Sequence, residues 1–310
     1  MTTTSSAPTR PWEYSAFPVT VTQSRQLSPG FRRITLAGPA LRHFAEWGLD
    51  QRIKLVLPMP DGSRPDFGLL VDPTPHPSHW YARWKELPED RRNALRTYTP
   101  AAIRPEVGEI DVDVFLHQPA GPASTWAATC APGDELVLTG PDARAGYTGY
   151  GIHYTPPEPP SRLLLVGDAS ALPAIRNILA ALAPDTPADV FLELADPADN
   201  TLDAPAPGAR IRVVEADSVA GGGTADDSAG DDSTDSAAGS EVESSLERAV
   251  REWGASNGAD FATDHAAYAW IAGESGATTR LRRYLTADLA MPKDRVAFLG
   301  YWKLGGPLVG

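Results

Sequence analysis

Four prolines in the seven residues Tyr154–Pro160 divide this 310-residue chain into two stretches with different rhythms. Proline fixes φ and lacks a backbone donor, so such a run is a stiff connector rather than part of a helix or an inner strand. Before it, apolar and polar residues alternate over short segments. Val19 and Val21, then Phe31, Ile34 and Leu36, read as two strands joined by the turn Leu27-Ser28-Pro29-Gly30. Arg52–Leu57, closed by Pro58 and Pro60, reads as a third, and Leu95–Thr99, Ile110–Leu116 and Glu135–Leu138 as further strands. Residues 61–92, rich in Pro, Trp and charge, read as an irregular excursion. A run of short strands with turn signals and little helix predicts an antiparallel β-barrel that ends near Gly140-Pro141.

After the prolines the pattern becomes βα. Arg162–Gly167 is a buried strand, and Leu172, Ile175, Ile178, Leu179 and Leu182 have helical spacing. Strands are expected at Ala188–Leu194, Ala209–Val214, Tyr268–Ala272 and Val296–Trp302, with helices near Ser245–Trp253 and Thr278–Leu289. That alternation predicts a parallel sheet with helices on both faces. The fold class is thus β + α/β: a flexible tail (1–14), a barrel domain (15–150), a Pro-rich linker (151–160) and an α/β domain (161–310).

Hydrophobic residues make up 42% and charged residues 22%, ordinary proportions that exclude wholesale disorder. No apolar run has the length of a membrane span, and the start Met-Thr-Thr-Thr-Ser-Ser lacks the pattern of a signal peptide, so the expectation is a cytoplasmic protein without a membrane partner. The only cysteine, Cys130, reads as a small buried residue; one thiol supports neither an internal disulfide nor a metal cluster, so any redox chemistry must come from a bound cofactor. The scattered histidines show no metal-ligand spacing. The net charge of −13 argues against nucleic acid as the main partner. Ten acidic and no basic residues fall in 215–247, which leaves a nearly neutral body compatible with a monomer. Within that run, the Gly-, Ser-, Ala- and Asp-rich stretch at about 217–244 reads as a disordered acidic insertion.

Arg96-Thr97-Tyr98-Thr99 lies on a predicted strand, where alternate side chains share a face. Arg96 and Tyr98 therefore set a fixed cation beside an aromatic plane, a pair suited to a phosphate next to a flat ring. Farther on, His117 precedes the small-residue turn Gly121-Pro122-Ala123-Ser124, which leads into a helix start. Free backbone N–H groups and a hydroxyl at such a start suit a diphosphate. Taken singly, Arg96 fits a surface ion pair, Tyr98 a packing role and Gly121-Pro122 a plain turn. A second strand-to-helix turn, Gly167-Asp168-Ala169-Ser170-Ala171, sits at the carboxyl end of the parallel sheet, the usual ligand crevice of such folds. It is not a GxGxxG fingerprint, and an ordinary βα turn fits it as well as a nucleotide site.

These segments in this order, RTYT, then His117 and GPASTWA, then PGD and TGP, resemble the siderophore-interacting protein family, ferric-siderophore reductases of the ferredoxin-reductase-like superfamily. The resemblance implies that the barrel binds FAD. Arg96 would contact the flavin phosphates, with Thr97 in the same motif, Tyr98 would lie against the isoalloxazine, and Thr99 would bond near its reactive nitrogen. His117 and the Gly121, Pro122, Ala123, Ser124 turn would hold the diphosphate. The second arginine that the family often carries after the threonine is Ala101 here, and Arg104 is the nearest substitute.

In the α/β half the resemblance makes the Asp168–Ala171 turn a nicotinamide-facing loop, with Asp168, Ser170 and Ala171 at the cofactor and Ala169 in place of the usual glutamate. Gly273-Glu274 matches a family Gly-Glu, although Glu274 fits a surface carboxylate near a helix start equally well. Tyr301-Trp302-Lys303 matches the family's Tyr-Trp-basic ending, which implies that Tyr301 and Trp302 line the flavin edge and that Lys303 and Lys54 face substrate. The implied reaction is reduction of a ferric siderophore, an anionic chelate, by NADH or NADPH through FAD, without a protein-bound metal. A ferredoxin is a further possible donor. A generic flavin or ferredoxin-type reductase on the same scaffold, or a non-enzymatic flavin or siderophore carrier, stands as the alternative.

Overall fold

The computed structural model describes residues 13–202, 208–217 and 243–304. The first sheet has seven strands: β1 (Tyr14–Gln26), β2 (Phe31–Ala37), β3 (Ile53–Val56), β4 (Leu95–Tyr98), β5 (Pro100–Arg104), β6 (Glu109–Phe115) and β7 (Glu135–Pro141). Their order is β4-β3-β7-β1-β2-β6-β5, and every neighbouring pair is antiparallel. The two strands at the ends of that order, β4 and β5, are separated in sequence by one residue, Thr99. The chain thus joins the sheet's own edges and curls it into a half-barrel. Alternate residues fill the interior: Phe17, Val19 and Val21 from β1, Ile53 and Leu55 from β3, Ile110, Val112 and Val114 from β6. Cys130 packs there too, as a buried small residue.

Two elements depart from the sequence reading. The stretch 61–92 is not wholly irregular, because it contains α1 (Pro77–Glu86). Proline occupies its first turn, where no N–H is needed, and His76 caps it by accepting from Ser78 N at 3.2 Å. Trp80 and Trp84 fall on one face of α1 and bury against Val56, Leu95 and Val137 on the outer side of the barrel. The density of proline and charge masked that i, i+4 pair. β5 is the second departure; proline is tolerated as the first residue of an edge strand, so Pro100 starts it rather than ending β4. A further helix, α2 (Pro122–Thr129), follows β6.

The second sheet contains β8 (Arg162–Asp168), β9 (Ala188–Leu194), β10 (Ala209–Glu215), β11 (Ala267–Glu274) and β12 (Val296–Trp302), in the order β10-β9-β8-β11-β12 and parallel throughout. The strand order reverses between β8 and β11, which makes their carboxyl ends the crevice of the sheet. Leu163 and Leu165 of β8 pack toward α3 (Leu172–Ala181), and Leu164 and Val166 pack toward α4 (Ser245–Thr263) and α5 (Ser275–Arg283). α4 runs ten residues past the expected end at Trp253. Gly254 lies inside it, where any side chain would collide with Tyr284.

The halves are joined by buried polar contacts. Asp50, fully buried, accepts from His153 N (3.1 Å), Tyr154 N (3.1 Å) and Trp270 Nε1 (2.9 Å). Asn177 on α3 donates to Leu49 O (3.0 Å) and Pro100 O (2.9 Å). Asp113 on β6 takes Arg33 (2.7 Å) from its own sheet and Arg176 (2.8 Å) from α3. The contacts of Arg176 and Asn177 hold the barrel's β5–β6 side against the middle of α3. Among the described residues no helix is long and apolar enough to cross a membrane. The predicted tail lies outside the described residues over 1–12, and the acidic insertion over 218–242.

Candidate functional site

The site is organised around the break at Thr99. Opposite residues of an antiparallel pair point to the same side, and Arg96 faces Leu55 while Tyr98 faces Ile53. Arg96 and Tyr98 therefore share a face, as their spacing requires. Lys54 and Thr97 share the other, where Lys54 Nζ donates to Thr97 Oγ1 at 3.4 Å. Lys54 is thus on the opposite side of the β3–β4 pair from the Arg96–Tyr98 pair. Arg96 is only 9% exposed, and its guanidinium donates to Leu95 O at 2.7 Å.

Arg104 does not replace the arginine missing at Ala101. Its guanidinium is committed to Asp111 (2.9 Å) and Glu109 (3.1 Å) on β6. Burial pushes the Asp111 carboxyl up, but hydrogen bonds from Arg104 and Thr35 outweigh it and leave it below the ordinary range.

At the end of β6, half-buried His117 closes on Pro119 O through Nδ1 at 2.8 Å. Gly121 is the N-cap of α2 and offers no side-chain cap. The first bond of the helix ladder is Thr125 N to Gly121 O, 2.9 Å, so the N–H groups of Ala123 and Ser124 lie ahead of it. The Ser124 hydroxyl is not presented outward; it is buried and donates to Phe115 O at 3.2 Å. What the turn offers an anion is backbone, not hydroxyl.

On the α/β side, Asp168 ends β8 and caps a short turn over Ala169–Ala171 that leads into α3. Its Oδ1 accepts from Ser170 N (2.8 Å) and Ser170 Oγ (2.5 Å), and its Oδ2 from Trp302 Nε1 (2.7 Å). Gly273 on the neighbouring strand has φ 147°, and a Cβ there would come within 2.6 Å of Asp168 Oδ2, so only glycine fits. Burial pushes the Asp168 carboxyl up despite these bonds. Glu193, opposite Asp168 on β9, is pushed up to about 7, first by burial and then by the Asp168 charge. Asp168, Ser170 and Trp302 therefore form one cluster, whereas Ala171 is 0% exposed and packs beneath it.

Tyr301 packs edge-on to Trp270 at 6.4 Å between the halves. Burial raises its hydroxyl pKa, the Asp50 charge raises it further, and Thr99 and Arg52 pull it part of the way back. That buried hydroxyl lies beside Thr99 without closing a hydrogen bond of full geometry, and the indole N–H of Trp126 on α2 closes none. Among the described residues they are two of six buried side-chain polar atoms without a full partner, and these two can accept a polar group from outside the chain. Together with the Arg96 guanidinium and the uncapped N–H groups of α2, they fit a flavin dinucleotide: cation and backbone donors for phosphates, Tyr98 and Tyr301 for a ring.

Glu274 is a helix cap, accepting from Ala277 N at 2.7 Å, so it has the structural role that its position allowed. Lys303 is half-buried and makes no hydrogen bond or ion pair among the described residues. Sequence reasoning missed Asp50 and Glu193. Asp50 sits in a polar turn, Leu49-Asp50-Gln51-Arg52, with no local sign of burial, and Glu193 occupies an outward-looking place in a strand that α4 then covers.

Residues 20–145 match the siderophore-interacting FAD-binding domain, and residues 160–305 match the siderophore-interacting protein family. The chain is 31% identical over 242 residues to the mycobactin import ATP-binding/permease protein IrtA of Mycolicibacterium smegmatis, covering 76% of this chain and 23% of that protein. It spans about a quarter of the length of the mycobactin importers that it matches. Over 166 residues it is 34% identical to the NADPH-dependent ferric-chelate reductase of Escherichia coli, covering 53% of this chain and 56% of that one. The crystal structure of the siderophore-interacting protein SipS from Aeromonas hydrophila superposes with a TM-score of 0.62 at 25% identity, covering 95% of this chain and 94% of that one.

Proposed function

The chain belongs to the siderophore-interacting protein family, and from that premise we propose that it reduces ferric siderophores with electrons from NADH or NADPH through FAD. The observation that carries the proposal is the meeting of Tyr301, with its buried hydroxyl, and Thr99, at the point where the half-barrel joins its own edges. Thr99, Tyr98 and Tyr301 are the residues that would hold a flavin ring there, which would supply the redox chemistry.

FAD, when bound, supplies a two-electron acceptor for the nicotinamide and a one-electron donor for iron. The chain supplies position and charge. Arg96 and the N–H groups ahead of α2 bind phosphate oxygens, with His117 beside them. Thr97 completes the β4 motif and steadies Lys54, Tyr98 offers a ring face, and Thr99 a hydroxyl. Gly121 and Pro122 allow backbone approach, while Ala123 and Ser124 give their N–H groups. Asp168 and Ser170 shape the nicotinamide-side loop, Ala171 supports it from below, and Trp302 closes its edge. Lys54 and Lys303 attract the anionic chelate without coordinating its iron. The siderophore's hard oxygen donors hold Fe(II) far less tightly than Fe(III), so reduction releases the metal.

The proposal takes 15–150 as the FAD-binding unit, 161–310 as the nucleotide-binding-like unit and 151–160 as their linker. It sets a monomer in the cytoplasm, where the nicotinamide reductants are; a reduced ferredoxin is the alternative donor. The test is anaerobic capture of iron by a ferrous-specific chromophore. With FAD-loaded protein, a ferric siderophore and NADPH or NADH, the account requires about two Fe(II) per nicotinamide oxidised, from electron balance. No Fe(II) with any of the three donors would overturn it.

A further inference from the structure

The fully buried side chain of Asp50 brings a charge to the seam, although a neutral acceptor could take the same bonds. Its Oδ1 accepts from His153 N and Tyr154 N, both at 3.1 Å. Its Oδ2 accepts from Trp270 Nε1 at 2.9 Å and from His153 N at 3.2 Å. Both oxygens only accept, as those of a carboxylate do, and every donor is neutral. None of the ion pairs among the described residues includes Asp50. A buried anion met only by neutral dipoles keeps its field in the low dielectric around it.

Three contacts bring that field to the residues assigned to the flavin ring. Trp270, whose indole donates to Asp50 Oδ2, meets Tyr301 edge-on at 6.4 Å. The Asn177 amide donates both to Leu49 O (3.0 Å) and to Pro100 O (2.9 Å), so the residue before Asp50 and the residue after Thr99 share one donor. Three residues past Asp50, Ile53 stands opposite Tyr98. After burial, the Asp50 charge acts most strongly on the Tyr301 hydroxyl, ahead of Thr99, Arg52 and Asp168. A nicotinamide gives up a hydride, one proton with two electrons, so the flavin that receives it gains one negative charge. A nearby carboxylate opposes that charge and lowers the potential of the ring. The oxygen ligands that favour Fe(III) over Fe(II) also lower the potential of the chelate, so its reductant must be a strong one. We propose that Asp50 sets the reducing power of the bound flavin, holding its potential low enough for electrons to pass to iron in a hard-oxygen chelate. The inference rests on the reductase reading for the bound flavin and for the acceptor.

The test is the midpoint potential of the FAD-loaded protein, read by anaerobic equilibration with a reference dye during stepwise reduction by dithionite. It needs neither nicotinamide nor chelate. Asp50→Asn removes the charge and keeps an acceptor oxygen, so it should favour the reduced flavin about tenfold, a rise of about 30 mV for a two-electron couple. Asn177→Ala cuts the same seam with the charge in place and should keep the wild-type potential. Trp270→Phe takes one neutral donor from the carboxylate and should lower the potential, a reading of opposite sign that does not depend on the folding of Asp50→Asn. An unmoved potential in Asp50→Asn, an equal rise in Asn177→Ala, or no fall in Trp270→Phe would overturn the role. A raised potential in Asp50→Asn, with no Fe(II) release by wild type, would keep the role and sink the reductase reading. Fe(II) release by wild type, with a potential that Asp50→Asn does not move, would do the reverse. Wild-type protein that takes up no FAD would overturn both.

Discussion

Trp302 Nε1 donates to Asp168 Oδ2 at 2.7 Å, tying the end of β12 to the end of β8 across β11. The bond passes over the crevice where the parallel sheet reverses its order, and Gly273 leaves the room for it. It places the tryptophan of the C-terminal aromatic pair on the α/β side of the site, while Tyr301 beside it packs against Trp270 of β11 and reaches Thr99 at the barrel's edge.

Asp168→Ala removes the partner of a part-buried indole N–H and the cap of the turn before α3. The expected cost is about 1–3 kcal/mol, read as a thermal midpoint lower by several degrees. An unchanged midpoint would mean that the tie does not constrain the loop.

Glu193 makes stability depend on pH. Its folded pKa is raised from 4.5 to about 7, so folding favours the neutral carboxyl. Its contribution is fully present below 4.5 and is lost as pH rises through about 7. Glu193→Gln keeps an acceptor for Leu246 N and removes the charge, so the variant should gain on wild type across that window in a thermal scan. Parallel profiles would place the pH dependence elsewhere.

Asp50→Ala strands the N–H groups of His153, Tyr154 and Trp270 at the seam. A loss of more than about 3 kcal/mol in denaturant unfolding is expected, with Asp50→Asn milder because it keeps one acceptor oxygen. Equal losses for the two would show that the charge, not the acceptor count, matters.

Arg96→Ala should weaken FAD retention about tenfold or more while leaving the circular dichroism spectrum intact, since one charge-assisted hydrogen bond accounts for about 1.5–3 kcal/mol. Unchanged flavin occupancy after dialysis would remove Arg96 from the site.

Lys303→Ala should raise the KM for a ferric chelate several-fold with little effect on the rate at which NADPH bleaches the flavin. Lys54→Ala should do less, because Lys54 Nζ is already engaged with Thr97. Loss of both half-reactions in Lys303→Ala would show that its cation serves the cofactor instead.

Much of the architecture was legible because one face of each strand and helix is buried. The period-2 runs of β1, β2 and β6 and the i, i+3, i+4 run of α3 carry that burial directly. α1 and β5 were not legible, since proline reads as a breaker although Pro77 and Pro100 occupy the first positions, where it does no harm. At the site, the shared face of Arg96 and Tyr98 follows from strand period alone. The inward turn of Ser124 and the commitment of Arg104 to Asp111 depend on partners 9 and 7 residues away on another strand, which local pattern does not encode.

The central claim is an electron path from nicotinamide to ferric chelate through a flavin held between the two halves. Its most direct test is an anaerobic absorbance spectrum of the FAD-loaded protein, taken before and after NADPH or NADH and again after a ferric siderophore. The account predicts flavin bands that bleach with the nicotinamide and return with the chelate. Bands that bleach only with dithionite, or that stay bleached when the chelate is added, would contradict it.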